Sequence, residues 1–365
     1  MVTEVLCDPD AVSLLLRDML LAEGCGAEES THTGAHLVDA SLCGHDSHGV
    51  IRILRYVEWL RAGKIVPNAA LTCVTDLGAL RQYDAGSGLG QWSAHQMTSQ
   101  GIALARAQGS AIFTLRRAGH IGRVGAFAEQ AALAGIVSLF FTNVAGSQIV
   151  APFGARGKGG STAPVTIGVP TGGDPFVLDF ATSIVAEGKV NVAAKFGKDL
   201  PADALIDGAG QLSGDPYALY GDTIQNRVPM PGAGPGALRA FGDHKGSGLM
   251  LACELLGGSL SGNGANGPDL PPFGNGALAI FIDPTRLDGP KDIARSIQSY
   301  LGFVIDLPPA EGHAHVQIPG DPERARRTER KASGLPLSDT VLSDITALAA
   351  QQGVTFQPDS LRMPT

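Results

Sequence analysis

Both ends of this chain read as helical, and the long middle reads chiefly as short apolar runs punctuated by glycine. Leu14, Leu15, Leu16, Leu20 and Leu21 form one apolar stripe, which Asp8 or Asp10 can cap and Gly24 ends. A second helix is predicted from Ser30 through His36, Leu37 and Ala40. It leads into a third that carries Val50, Ile51, Ile53, Leu54 and Val57, and Pro67 closes the region. At the other end, DPERARRTERKA reads as a charged helix with a solvated face or a dimer edge, and Ser338 caps a last amphipathic helix through Val341, Leu342, Ile345 and Leu348.

Between these ends, strands are predicted at 72–75, 80–83, 111–115, 136–144, 164–169, 176–183 and 277–282, with helices at 124–134, 249–260 and 291–300. Helical ends around a strand-rich middle imply an α/β (α+β) fold. Its expected parts are a mixed, largely antiparallel sheet at 71–285 and a helical domain of 1–70 completed by 286–365. From Ala186 to Gly242 the Gly, Pro and Asp content predicts long surface loops, with PGAGPG used for flexibility. The cluster Gly86, Gly88, Gly90 is spaced GxGxG rather than GxGxxG. No Asp or Glu falls between Asp84 and Glu129, so the acid that would hold a ribose is absent and a Rossmann assignment is rejected. These glycines are expected to shape a strand-to-helix turn. The same acid-free interval holds Arg106, Arg116, Arg117 and Arg123, either a positive wall for an anion or a scattered solvated set.

The formal net charge of −8 argues against a nucleic-acid partner. Cys7, Cys25, Cys43, Cys73 and Cys253 are scattered without a CxxC pair, as expected of reduced thiols in a cytoplasm. No secretory signal is read at the N-terminus, and the most apolar run, 131–141, is too short for a membrane, which takes about 20 residues.

The chemistry concentrates in SLCGHDSHGVIRILRY, residues 41–56. With Asp46 or Ser47 as helix cap, His48 and Arg52 stand four residues apart on one face, at the positive end of a helix dipole. A substrate carboxylate suits Ser47 and Arg52. Neutral His48 suits proton exchange with an alcohol or carbonyl. A capped helix whose His and Arg face solvent is the plain alternative. Downstream, Asp179 lies in the strand FVLDFATS and needs a partner if buried, unless it caps the helix SIVAEGKV. Thr182 and Ser183 are candidate donors to a cofactor phosphate or ribose. His244 and Lys245 open the apolar helix at 249–260, where free amides and an ammonium form a plausible anion site, or merely a surface turn. His313 and His315 would point one way on a strand, but no further ligand is near and no metal is expected.

Four stretches in order, SHGVIRILRYVEWLRAGKIVPNA, GHIGRVGAFAEQAALAGIV, LDFATSIVAEGKV and DHKGSGLMLACELLGGSLSG, resemble the malate/L-lactate dehydrogenase family of non-Rossmann NAD(P)-dependent oxidoreductases. That family includes sulfolactate and ureidoglycolate dehydrogenases and ketimine reductases. The resemblance spans roughly residues 10 to 335. It implies NAD or NADP as cofactor and a homodimer with active sites near the subunit interface. It makes His120 a second catalytic and cofactor-side candidate, and sets Asp179 near the nicotinamide to orient a catalytic histidine. It also puts Lys245 and the turn Pro319-Gly320-Asp321 at the cofactor, with Asp321 replacing a Glu. Ala155 and Ala163 depart from the family's glycine and asparagine, which points to a divergent substrate.

The resulting expectation is hydride exchange between nicotinamide and a small 2-hydroxy or 2-oxo acid. His48 serves as acid/base, assisted by Asp179 or His120. Reduction of a cyclic imino acid is the nearest alternative, and a non-catalytic small-acid-binding relative is the more distant one.

Overall fold

The computed structural model describes residues 4–195, 197–225 and 230–363. The chain opens with β1 (Glu4–Cys7), α1 (Pro9–Ala22) and α2 (Ala27–Leu42). After a 3-10 turn at Asp46–His48 comes α3 (Arg52–Arg61). Then follow β2 (Thr72–Leu77), β3 (Leu80–Asp84), α4 (Gly90–Gln108), β4 (Ser110–Ala118), α5 (Gly125–Leu133) and β5 (Val137–Ala145). The next stretch holds β6 (Val150–Ala151), β7 (Pro164–Val169), β8 (Phe176–Ala181), α6 (Glu187–Lys195), β9 (Leu205–Ile206), β10 (Leu212–Ser213), α7 (Tyr217–Tyr220) and β11 (Ala237–Arg239). Next, α8 (His244–Cys253) runs into a π-helical segment, Glu254–Leu260, ahead of β12 (Gly274–Ile282) and α9 (Pro290–Ile305). The chain closes with α10 (Asp321–Ser333), β13 (Leu335–Ser338) and α11 (Asp339–Gln351).

The central sheet has seven strands in the order β2-β3-β4-β12-β5-β7-β8, with β3 and β4 parallel and the other neighbours antiparallel. The fold is thus mixed and largely antiparallel, as its short strands predict. Alternation along β5 shows how the sheet is covered. Phe140 enters a core with residues of α4 and α5, while Phe141 packs on the opposite side beside Met250 and Cys253 of α8. A separate core joins α1, α2 and α3 to β13 and α11, drawing on residues 5–89 and 335–361. β1 pairs with β13 there, an antiparallel contact between chain ends that no local pattern signals.

Several expectations need correction. The second helix begins at Ala27, not Ser30, because Glu29 reaches back to the Gly26 amide at 2.9 Å. His313 and His315 lie in an exposed irregular stretch rather than on a strand. The region 186–242 is less loop-like than its composition implies. It contains α6, α7 and three strands of a small sheet ordered β10-β9-β11-β6, each strand only two or three residues long and so too short to show a period. Residues 196 and 226–229 of that region lie outside the described residues. No described helix is long and apolar enough to cross a membrane.

Candidate active site

His48 sits in the 3-10 turn, and at Gly49 (φ −94°, ψ −149°) the backbone leaves helical geometry before α3 starts at Arg52. Neither Asp46 nor Ser47 caps α3; Asp46 pairs instead with Arg330 of α10 at 2.7 Å. The expected continuous helix is therefore absent, yet the residues still meet. Arg52 folds back to donate from Nε to the Ser47 carbonyl oxygen, and Ser47 Oγ lies 3.1 Å from His48 Nδ1. The two Nη groups of Arg52 have no protein partner among the described residues, although the side chain is half-buried.

His120 completes the cluster. Its ring stacks on His48 with centroids 5.5 Å apart and planes 15° off parallel, and its Nδ1 lies 2.6 Å from the hydroxyl of Tyr56, one turn beyond Arg52 on α3. Tyr56 also accepts from Gln91 Nε2 at 2.5 Å. The glycine cluster makes this possible. A Cβ on Gly90 would run into the Gly119 carbonyl and stand 2.6 Å from the carbonyl carbon of His120, so α4 can start against this turn only with glycine there. The GxGxG run is thus a strand-to-helix turn, as expected, and also the seat of His120.

Burial pulls the His48 imidazole down to about 3, helped by the positive Arg52 guanidinium and then by His45. His120 is held well below the ordinary histidine range by burial first, then by Arg52, His48 and His36. Both rings are neutral near pH 7. Tyr56, buried, is pushed above the usual phenol range and keeps its proton.

A second wall comes from α6. A Cβ on Gly188 would lie 2.5 Å from Ser47 Cβ, so the SIVAEGKV stretch rests directly on the SHG turn. Beside it, Tyr220 donates to Glu187 at 2.6 Å, close enough to Arg52 to feel its charge. Tyr56, Gln91, Glu187 and Tyr220 were not singled out from the sequence as site residues. Only Tyr56 carried a signal: 48, 52 and 56 recur every four residues.

The remaining candidates are placed differently. Asp179 accepts from the Gly125 amide and the Thr166 hydroxyl, both at 2.7 Å. It thereby holds the start of α5, which packs on β7 and β8, rather than capping SIVAEGKV or touching either histidine. It lines a cavity of about 10 Å³ with Arg123, Gly320 and Arg324. Thr182 is buried and its hydroxyl donates to the carbonyls of Thr162 and Ala163; Ser183 donates to Val185. Their hydroxyl protons are therefore engaged within the fold. Among the amides of α8, those of Lys245, Gly246 and Ser247 bond to Gly242, Phe241 and Asp243, so they form no free anion nest. Exposed His244 and Lys245 remain, and the Phe241 amide ties their loop to Thr182 at 3.0 Å. Pro319 accepts from the Val177 amide, and Asp321 holds its own turn through the Ile318 amide and Arg324. Of the four arginines in the acid-free interval, Arg116 and Arg117 pair with Asp84, and Arg123 with Asp39 and Glu129.

A search against family models matches residues 7–346 to the malate/L-lactate dehydrogenase family. The chain belongs to that family. It is 35% identical to L-lactate dehydrogenase of Cupriavidus necator, over 86% of this chain and 89% of that protein. Among solved structures it resembles sulfolactate dehydrogenase from Methanocaldococcus jannaschii, with TM-score 0.84 and 27% identity over 96% of this chain and 98% of that one. It also resembles delta1-piperideine-2-carboxylate reductase from Pseudomonas syringae, with TM-score 0.76 and 28% identity over 95% and 100%. Family membership makes the chain a hydroxyacid oxidoreductase that works with a nicotinamide cofactor. The histidine and arginine cluster contains no group that takes up two electrons, so its chemistry fits an external hydride carrier.

Proposed function

We propose that this enzyme interconverts a small 2-hydroxy acid and its 2-oxo acid at the His48, Arg52 and His120 cluster. The observation that carries the reading is the unpartnered guanidinium fork of Arg52 beside two neutral histidines. A carboxylate satisfies both Nη groups bidentately. A nicotinamide held here would supply the acceptor or donor of a hydride at the α-carbon of the substrate. His48, with Nδ1 turned to Ser47, uses Nε2 for the proton: it accepts from the alcohol during oxidation and returns the proton to the carbonyl oxygen during reduction. A bound carboxylate offsets the Arg52 charge that adds to the effect of burial on His48, which raises its proton affinity in the reductive direction. Lys245, His244 and the turn at Pro319 to Asp321 are the groups we assign to the dinucleotide, NAD or NADP. Asp179 acts on the nicotinamide side by fixing the start of α5.

Reduction of a cyclic imino acid is the second reading, favoured by the similarity to the piperideine-carboxylate reductase. We also propose self-association as a homodimer, supported by α9, none of whose residues is buried while Tyr300 and Phe303 stand exposed. The five unpaired cysteines support a cytoplasmic setting.

The test is a matrix of 2-oxo acids and one cyclic imino acid against NADH and NADPH, followed at the nicotinamide absorbance, for the wild type and His48→Gln. The expected result is 2-oxo acid turnover that His48→Gln lowers about 100-fold or more. Turnover of the imino acid alone selects the second reading. Unchanged turnover in His48→Gln removes His48 from the reaction.

A further inference from the structure

Gln91 and Tyr56 are both fully buried, and Gln91 donates to the Tyr56 hydroxyl that in turn meets His120 Nδ1. We propose that Gln91 is a positioning residue which, through Tyr56, fixes His120 as the Nε2-protonated neutral tautomer. His120 then offers a permanent hydrogen-bond donor to the substrate oxygen. The inference rests on the reading that His120 faces the substrate, and it adds a division of labour between the two histidines that family membership does not supply.

The tautomer follows from a count of protons. Tyr56 has one hydroxyl proton and keeps it, because burial opposes ionisation. Gln91 Nε2 can only donate, so Tyr56 accepts on that side and its own proton must go elsewhere. The other polar neighbour of the hydroxyl is His120 Nδ1 at 2.6 Å. If Tyr56 donates to Nδ1, that nitrogen is unprotonated, and the single proton of the neutral ring sits on Nε2. In the opposite arrangement Tyr56 would accept from both sides and leave its hydroxyl proton buried and unbonded, at a cost of about 1–3 kcal/mol.

Orientation of the Gln91 amide decides the direction. As placed, Oε1 is buried without a partner and one N–H is bonded. Turning the amide over would satisfy Oε1 and orphan both N–H groups, the less tolerated outcome. Nε2 of His120 has no protein partner among the described residues, so the donor that the relay creates is free for a ligand. His48, whose Nδ1 meets only the two-way hydroxyl of Ser47, is not locked in this manner and remains free to give and take a proton.

The test is long-range imidazole ¹H–¹⁵N correlation on the ¹⁵N-histidine-labelled full chain, with His120 assigned by the signals lost in His120→Asn. The wild type should show His120 with Nδ1 unprotonated and Nε2 protonated. Gln91→Glu keeps the shape but places a carboxylate acceptor at Tyr56. The hydroxyl turns to it, Tyr56 accepts from His120 Nδ1, and the tautomer inverts. With the donor withdrawn, kcat/KM for the acid should fall 10- to 100-fold while KM for the cofactor holds. A wild type with Nδ1 protonated, or in exchange between tautomers, overturns the assignment without any variant having to fold. Inversion in Gln91→Glu with kcat/KM unchanged overturns the role in the reaction while leaving the His48 reading in place. Gln91→Glu placed in a Tyr56→Phe background should no longer alter the His120 signals; a persistent change there would show that the effect bypasses Tyr56 and would also refute the relay.

Discussion

Replacing Arg52 by Gln separates a binding role from a packing one. In the native protein Nε is held by the Ser47 carbonyl, and the two Nη groups are left for a ligand. Hydrogen bonds to charged groups contribute about 1.5–3 kcal/mol each, and a bidentate pair in a half-open site is discounted for solvent, leaving about 3 kcal/mol for the fork as a whole. At about 1.4 kcal/mol per decade, kcat/KM for the acid should fall about 100-fold, mostly through KM. Arg52→Lys keeps the charge but cannot span two carboxylate oxygens while also reaching Ser47, so about 10-fold is expected. A second readout comes from electrostatics. Arg52 depresses both His48 and His120, so removing it raises both, and the acid limb of the kcat/KM profile should move to higher pH. The assay is steady-state oxidation of the hydroxy acid at saturating cofactor across pH 3 to 9, with thermal melts at each pH to confirm folding. If Arg52→Gln keeps kcat/KM within twofold, or moves the acid limb downward, the carboxylate reading of this fork is refuted.

Gly90→Ala forces a methyl against the Gly119 carbonyl and His120, which should cost about 1–3 kcal/mol and displace His120; a melting temperature and kcat equal to wild type would sink this account of the glycine cluster. Thr182→Val removes a hydroxyl that donates to two buried carbonyls, so we expect about 1–3 kcal/mol of lost stability with cofactor affinity unchanged; a tenfold loss of affinity at an unchanged melting temperature would return Thr182 to the cofactor site. Acid should destabilise the fold early. His32 is lowered to about 4 and His36 and His48 to about 3, all by burial first, while the unfolded chain protonates near pH 6.5. Stability is therefore full above about pH 6.5 and falls toward pH 3, by up to about 1.4 kcal/mol per pH unit for each histidine. Urea midpoints that stay flat between pH 7 and 5 would contradict this.

The fold class was legible because the sheet strands are long and apolar and the helical ends are periodic: β5 and β7 in particular read directly as apolar runs. The site was legible only where chemistry is local. Ser47, His48, Arg52 and Tyr56 lie within ten residues, and folding brings them together even though the helix predicted to do so begins four residues late. Gln91 carried no comparable sign, and Gly90 signalled a turn but not the seat of His120. Their purpose depends on the approach of α4 to the turn at 119–120, a contact set by the parallel pairing of β3 with β4. Asp179 misled for a related reason. A carboxylate at mid-strand demands a partner, and sequence alone does not reveal that the partner is the Gly125 amide rather than a histidine.

These placements alter what the acid in such a site has to do. No described carboxylate contacts either ring of the stacked histidine pair, so neither is held as a cation by a neighbouring anion, and the charge nearest to both is that of Arg52. In the free protein burial, reinforced by that cation, keeps both rings neutral. A bound carboxylate cancels the cation, and proton affinity at His48 rises only once substrate has arrived. The substrate therefore supplies the counter-charge that a fixed aspartate would otherwise provide, and the acid/base is tuned by the molecule on which it acts. A permanent carboxylate beside His48 would neutralise Arg52 in advance and compete for its fork. The carboxylates around the site are committed elsewhere, Asp46 to Arg330, Glu187 to the Tyr220 hydroxyl and Asp179 to the start of α5, which leaves the fork of Arg52 open.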